Sequence, residues 1–374
     1  MTTRRDFIKQ ASVVAGISAA VALGLGLNPA RAHAASAGTW RMPDEGDRHQ
    51  RAFIAFGAQE DIWEDFTADV QQAIGEIART IAHYQPVTVF CRKHERALAE
   101  ERCGTANITY VITELDDVWM RDTSANFVID DEGGLGAVDF NFNGWGNKQQ
   151  HEDDAQLAGL VADRTDAHYI QSELVGEGGG IEVDGHGTGI MTESSWINRN
   201  RNPDWSKAEV EKELKARLGL RKIIWLPGIK GKDITDAHVD FYARFVKPGV
   251  VIANLDTDPD SYDHKVTLAH LEILKKATDA EGRPLQVLTL SPPLKPRKSK
   301  FSRNNPDFAA GYINYFVING AVIAPEFGDN TADAAAYDLL SQCYPGREVV
   351  QLNIDAIAAG GGGIHCVTSH QPKA

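Results

Sequence analysis

Short apolar runs recur along the whole chain, rich in Val, Ile and Phe and bounded by Gly, Pro, Asn or Asp. They predict strands at residues 52–56, 87–91, 108–113, 127–130, 135–142, 181–183, 223–226, 242–246, 250–255, 285–290, 312–318, 321–325 and 348–352. Between them, helical periodicity predicts helices at 64–82, 94–102, 153–163, 206–218, 264–277 and 332–343. At 374 residues the chain is long enough for two domains. No Ser/Pro/Gly linker or change of composition divides it, so the pattern predicts one α/β domain over 35–374. The Pro-, Lys- and Arg-rich stretch 291–303 reads as an exposed loop. No residue repeat is visible, yet the steady alternation of strands and helices fits a pseudo-symmetric fold.

The first 34 residues break this pattern. Thr3-Arg4-Arg5-Asp6-Phe7-Ile8-Lys9 is a twin-arginine motif, a weakly apolar stretch covers 11–27, and Ala32-His33-Ala34 supplies a small-residue cleavage pattern. Their order predicts a signal peptide over 1–34 and a periplasmic or secreted protein. The apolar stretch is short for a membrane span and rich in Gly and Ala, so no stable anchoring is expected after cleavage.

Without that leader, 34 basic and 51 acidic residues remain, a net charge of −17. This argues against nucleic acid or anionic membrane surfaces as partners and favours small cationic ligands. Cys91 and Cys103 could pair as a disulfide in an oxidising compartment. No cysteine pair has zinc-site spacing, so no structural metal is expected. A two-fold homodimer is the default assembly.

Candidate chemistry is concentrated in a few segments. Gly360-Gly361-Gly362-Gly363-Ile364-His365 ends on Cys366, where glycines allow backbone to approach a ligand closely. The competing reading of Cys366 is a small buried hydrophobe. Upstream lie Asp116-Asp117-Val118-Trp119-Met120-Arg121-Asp122, then Glu177-Gly178-Gly179-Gly180, then Asp236-Ala237-His238-Val239-Asp240. The last is expected to open a strand, whose two-residue period puts His238 and Asp240 on one face. Asn314 is expected inside another strand. Taken singly, these are also what solvated turns and surface pairs look like. His238, Asp240, Glu177 and Asp122 together admit a metal-hydrolase reading, which leaves Cys366 and its glycines without a task. A non-catalytic protein that only captures small cations would need neither His238 nor Cys366.

In order, Trp119-Met120-Arg121-Asp122, Phe142-Asn143-Gly144-Trp145-Gly146, Glu177–Gly185, Thr192-Glu193, Asn200-Arg201-Asn202-Pro203, Asp236–Asp240, Tyr312–Asp329, Tyr344–Val350 and Gly360–Cys366 resemble the successive motifs of the agmatine deiminases. The chain is similar over nearly its whole length to the agmatine deiminase and bacterial peptidylarginine deiminase family of the guanidine-modifying superfamily. That resemblance implies a pentein fold, an α/β propeller of five ββαβ modules around a central site, working without metal or organic cofactor. It implies Cys366 as nucleophile, His238 as general acid and base, and Asp122 and Asp240 as holders of the guanidinium. Glu177 would pair with His238, and Trp119 would pack along the substrate's alkyl arm. The glycines up to Gly363 would leave room for substrate and thiolate.

The chemistry fits such a substrate. A guanidinium is planar, permanently charged and carries N–H donors in a fixed fork, which a pair of carboxylates complements. Resonance makes its carbon a poor electrophile, which calls for a thiolate. Two departures flank the aspartates. Thr123-Ser124-Ala125 stands where many relatives have Thr-Gly-Pro, and Ala237 and Phe241 bracket the His-Val-Asp core where relatives have Gly and Asn. Recognition of a free arginine would also require a cation for its carboxylate. Arg199, Arg201 and Arg244 are the candidates, each with exposed charge as the ordinary alternative.

Overall fold

The computed structural model describes residues 39–374, so the expected signal segment lies outside the described residues. Among the described residues, sixteen strands form five small sheets. In chain order they are β1 (His49–Phe56), β2 (Val87–Cys91), β3 (Ile108–Ile112), β4 (Asn126–Ile129), β5 (Leu135–Asp139), β6 (His168–Gln171), β7 (Glu182–Val183), β8 (Thr188–Thr192), β9 (Lys222–Leu226), β10 (Ala243–Lys247), β11 (Val250–Asn254), β12 (Gln286–Leu290), β13 (Phe316–Ile318), β14 (Ala321–Glu326), β15 (Glu348–Asn353) and β16 (Thr368–Pro372).

One topology recurs in every sheet. A first strand pairs antiparallel with a second, which pairs parallel with a third, as in β4-β5-β6, β7-β8-β9, β10-β11-β12 and β13-β14-β15. The remaining module is assembled from both ends of the chain. β16 takes the first position beside β1, which continues through β2 to β3. The ring is therefore closed by hydrogen bonds between the last strand and the first. This is the five-module architecture that the resemblance implies, and its repeat lies in strand order rather than in residues.

Each parallel step needs a helical crossover. These are α1 (Thr67–Ala82) and α2 (Arg96–Cys103) in the first module, then α3 (Leu157–Arg164), α4 (Lys207–Leu218), α5 (His264–Lys276) and α6 (Asn330–Cys343). The sequence marks α4 plainly. Ser206 and Glu209 form a capping box at its start, and Gly219 ends it in the left-handed conformation.

Packing follows from strand alternation. Side chains on opposite faces of one strand enter the cores shared with the blades on either side. Phe127 of β4 joins Phe53 and Phe90 of the first module, while its neighbour Val128 joins Val183 and Met191 of the third. Ile190 and Met191 of β8 divide in the same way between the fourth and second modules. Every blade is thus held by apolar contact on two sides, and polar chemistry is left to the connections between blades.

Three strands escape the sequence pattern. β6 has polar residues at both ends, β8 is interrupted by Gly189, and β16 reads Thr-Ser-His-Gln-Pro. The stretch 291–303 is a partly exposed loop, as expected, and ion pairs hold it in place. Arg297 pairs with Glu326 and Asp355, and Lys300 pairs with Asp69. Cys91 and Cys103 are both buried free thiols, so the possible disulfide between them is not formed.

Candidate active site

All five junctions that lead from one module into the first strand of the next carry a polar side chain to the same place. Asp122 lies on a single helical turn (Met120–Thr123) before β4, and Glu177 precedes the Gly178–Gly180 turn before β7. His238 and Asp240 precede β10, Asn314 precedes β13, and Cys366 precedes β16. His238 and Asp240 are not on a strand as the alternation predicts. His238 is extended and caps a 3-10 turn at Val239–Phe241 that contains Asp240. Asn314 likewise lies in the loop ahead of its strand. The turns have the same cause in both places, since a chain passing between blades at the ring's centre must bend.

Cys366 is 6% exposed, and its Sγ accepts from Asn314 Nδ2 at 3.3 Å and lies 3.6 Å from Asp240 Oδ2. Burial pushes the thiol well up from its ordinary value, and the Asp240 and Asp122 carboxylates push it further. The glycines before it admit neighbouring side chains at close range. A Cβ at Gly360 would meet the Trp63 indole at 2.3 Å, one at Gly362 the Trp119 indole at 2.1 Å, and one at Gly363 the Asn314 Oδ1 at 2.4 Å. They let this loop press onto two tryptophans and an asparagine, which fixes the position of Cys366. Trp119 itself is buried with its ring against Trp63, and its Nε1 donates to Asp117 Oδ2 at 2.8 Å.

His238 is held at one nitrogen only. Nε2 is 3.0 Å from Glu177 Oε2, while Nδ1 is buried without a hydrogen-bond partner and lies 3.6 Å from Asp122 Oδ1. Burial alone would lower its pKa. The Asp122, Glu177 and Asp240 carboxylates outweigh burial and raise it to about 9. Glu177 in turn accepts from Arg201 Nε through both oxygens, at 2.7 and 2.9 Å. Burial works to raise Glu177, but the Arg201 charge holds it below the usual carboxylate range.

The two aspartates are oriented differently. Asp122 accepts from the Gly179 backbone N–H at 2.9 Å and from Trp145 Nε1 at 2.8 Å. Asp240 meets His365 Nδ1 at 2.8 Å through Oδ2, and its Oδ1 is buried with no hydrogen-bond partner. Burial raises Asp122, with Glu177 and Asp240 adding to the effect. Asp240 is also raised by burial, but the hydrogen bond and charge of His365 bring it below its ordinary value. The groups converge on Gly179, where a Cβ would lie 2.5 Å from His238 Nδ1, 2.8 Å from Asp122 Oδ1 and 3.2 Å from Asp240 Oδ2. Only glycine leaves this space open.

Every sequence-predicted polar site residue therefore arrives at one locus. Trp119 packs against Trp63 and Gly362, and Gly363 packs against Asn314. The candidate arginines divide. Arg199 is exposed, whereas Arg201 and Arg244 are buried, against the expectation of solvated charge. Arg201 is spent on Glu177 and Asp236, and Arg244 on Glu45 and Glu182. The supporting residues Trp145, Arg201 and His365 have no local signal in the sequence beyond lying in its distinctive motifs, and Glu45 lies in none of them. Ala237 takes φ +69°, a left-handed conformation that costs an alanine about 1–2 kcal/mol. The resemblance places a glycine there. Phe241 packs its ring against Gly311, on the segment leading to Asn314.

Five blades that bring one cysteine, one histidine and paired carboxylates to their junctions define a pentein. The chain belongs to the Porphyromonas-type peptidyl-arginine deiminase family, whose model matches residues 41–372, and is a hydrolase of amidine C–N bonds. It is 40% identical over 345 residues to a Streptomyces coelicolor protein provisionally named agmatine deiminase, with 90% of this chain and 99% of that one covered. It is 35% identical to the agmatine deiminase of Pseudomonas aeruginosa, with 89% and 95% covered. Among solved structures it is similar to the agmatine deiminase of Enterococcus faecalis, with a TM-score of 0.84, 29% identity, and 90% and 96% of the two chains covered.

Proposed function

We propose that the chain hydrolyses a small guanidinium compound, agmatine first among them, to its ureido product and ammonia. The observation that carries this reading is the pair of unpartnered buried atoms, His238 Nδ1 and Asp240 Oδ1, at a locus shared with Asp122 and Cys366. A guanidinium between the two aspartates supplies the N–H donor that Asp240 Oδ1 lacks, and its departing amino group becomes the acceptor for the His238 Nδ1 proton. Its charge also cancels the carboxylate field that keeps the Cys366 proton in place, so the thiol releases that proton to water as substrate binds. The thiolate adds to the guanidinium carbon. His238, protonated at neutral pH, donates its Nδ1 proton to one amino group, and the C–N bond breaks to release ammonia. A cysteine-bound S-alkylthiouronium remains. Neutral His238 then takes a proton from water, and the hydroxide adds to the same carbon. The C–S bond breaks, the ureido product leaves, and the proton on its oxygen returns to the sulfur.

Agmatine is favoured over free arginine because Arg121, Arg201 and Arg244 are each paired with a carboxylate and so are not free to bind an α-carboxylate. A small substrate is favoured over a protein chain because Cys366, His238, Asp122 and Asp240 are each at most 6% exposed. The leader pattern supports action after twin-arginine export. Ureido-product release by the purified full chain, offered agmatine, free arginine and an arginine peptide, tests the reading with Cys366→Ala as control. Cys366-dependent conversion of agmatine above the other two is the expected result. Preference for the peptide would make it a peptidylarginine deiminase instead, and no product from any of the three would overturn the reading.

A further inference from the structure

His365 stands next to Cys366 in sequence, yet its ring faces away into a buried layer beneath the site. It is 2% exposed. Nδ1 lies 2.8 Å from Asp240 Oδ2 and Nε2 lies 2.9 Å from Glu45 Oε2. Glu45 is fixed in turn by Arg121 Nη2 at 2.8 Å, by Arg244 Nη2 at 2.7 Å and by the Val317 backbone N–H at 3.0 Å. A neutral imidazole carries one N–H and could satisfy only one of two flanking carboxylates. A ring carrying both protons satisfies both, and a bridge of this kind has charge-assisted bonds at each end.

The Asp240 oxygen that His365 holds is also the one 3.6 Å from Cys366 Sγ, and the other oxygen is the unpartnered one. We propose that His365 is a positioning residue: a doubly protonated imidazole that turns Asp240 so that Oδ1 is presented to the guanidinium, and that offsets the Asp240 charge at the nucleophile. The proposal rests on the deiminase reading for what Oδ1 binds. The charged and titratable groups around the ring are Asp240 and Glu45 in contact, Arg121 and Arg244 beyond Glu45, Cys366 next in the chain, and the buried His370 within electrostatic reach.

Two substitutions separate the bond from the charge. His365→Asn places an amide N–H near the Nδ1 position and keeps the bond to Asp240. His365→Gln reaches toward Glu45 and releases Asp240. Both remove the positive charge. In the full chain, His365→Gln is expected to raise KM for agmatine about tenfold or more, and His365→Asn to keep it within about threefold. In both, the rate of iodoacetamide alkylation at Cys366 should rise only at higher pH than in the wild type, because the thiolate has lost a nearby positive charge. A purely structural role would move stability without that pattern, so unfolding midpoints are measured alongside. An unmoved alkylation profile in both variants, or equal KM in Asn and Gln variants, would overturn the proposal. If the wild type forms no ureido product, the deiminase reading falls, while the alkylation profiles still decide whether His365 offsets the charge of Asp240.

Discussion

The Cys366 sulfur lies 3.6 Å from Asp240 Oδ2, so the thiol sits against a carboxylate rather than a cation. Both burial and that carboxylate disfavour the thiolate, and the resting enzyme stores a neutral thiol. Activation then depends on the substrate's own charge. Asp240→Asn separates the two effects. Alkylation of the free enzyme by iodoacetamide should become faster at neutral pH, because a negative neighbour is gone. Turnover of agmatine should fall by about a hundredfold or more, because the guanidinium loses a buried charged acceptor. Changes of the two rates in the same direction would contradict this account.

His238 has a folded pKa raised to about 9, and the acid form is the one that delivers a proton to departing ammonia. The kcat/KM profile, which reports groups of the free enzyme, should therefore hold through neutral pH and fall on the alkaline side near 9. The same shift contributes to stability. That contribution is fully present below the ordinary histidine pKa of about 6.5 and is lost as pH rises through about 9. Glu177→Gln removes one of the carboxylates that raise the value, and the alkaline limb should move to lower pH. A limb that stays in place would assign it to a group other than His238.

Much of this site was legible in the sequence, for a physical reason. A junction between blades bends into the ring's centre instead of running straight, so it interrupts the apolar alternation and stands out as a Gly-rich or acidic break between strands. Cys366, His238, Asp240, Asp122 and Glu177 all lie in such breaks. Local geometry was less legible. Alternation predicts a strand opening at 236–240 and an apolar run predicts one from 312, where the chain in fact turns into the ring's centre before β10 and β13 begin. The second layer left no signal of its own. Arg201 and Arg244 look like any solvated arginine until the fold buries them against Glu177 and Glu182. The fivefold repeat was hidden because it resides in strand order and is completed by pairing β16, a polar strand ending in proline, with β1.

Trp145 shows how far that second layer governs the first. It adopts φ +57°, in a tight turn where the Asn143 side chain accepts from Gly146, and its Nε1 reaches Asp122 Oδ2 at 2.8 Å. Trp145→Phe keeps most of the ring and removes the donor. Loss of one hydrogen bond to a charged group corresponds to about 1.5–3 kcal/mol, so kcat/KM for agmatine should fall by about tenfold to a hundredfold. Urea denaturation should show a smaller effect on stability than Trp145→Ala. An unchanged kcat/KM would mean that Gly179 alone suffices to orient Asp122.

Gly363 and Gly159 give opposite expectations for the same added methyl. At Gly363, a Cβ would lie 2.4 Å from Asn314 Oδ1 and 2.9 Å from its Cγ. Asn314 is fully buried, and its Oδ1 accepts from the His365 backbone N–H at 2.9 Å and the Cys366 backbone N–H at 3.3 Å. It has no space to retreat into without releasing the loop that carries the nucleophile. Gly363→Ala should therefore cost about 1–3 kcal/mol of stability, as overpacking of a closed core does, and lower turnover by about tenfold or more. Gly159 lies within α3 with nothing within 4 Å of the added methyl. Gly159→Ala should stabilise the fold by up to about 1 kcal/mol through helix propensity and leave turnover unchanged. Thermal unfolding and agmatine turnover of the two variants, measured together, test whether the glycines before Cys366 are there to admit a neighbouring side chain. Wild-type stability and activity in Gly363→Ala would show that Asn314 yields without cost and that the loop is not fixed by it.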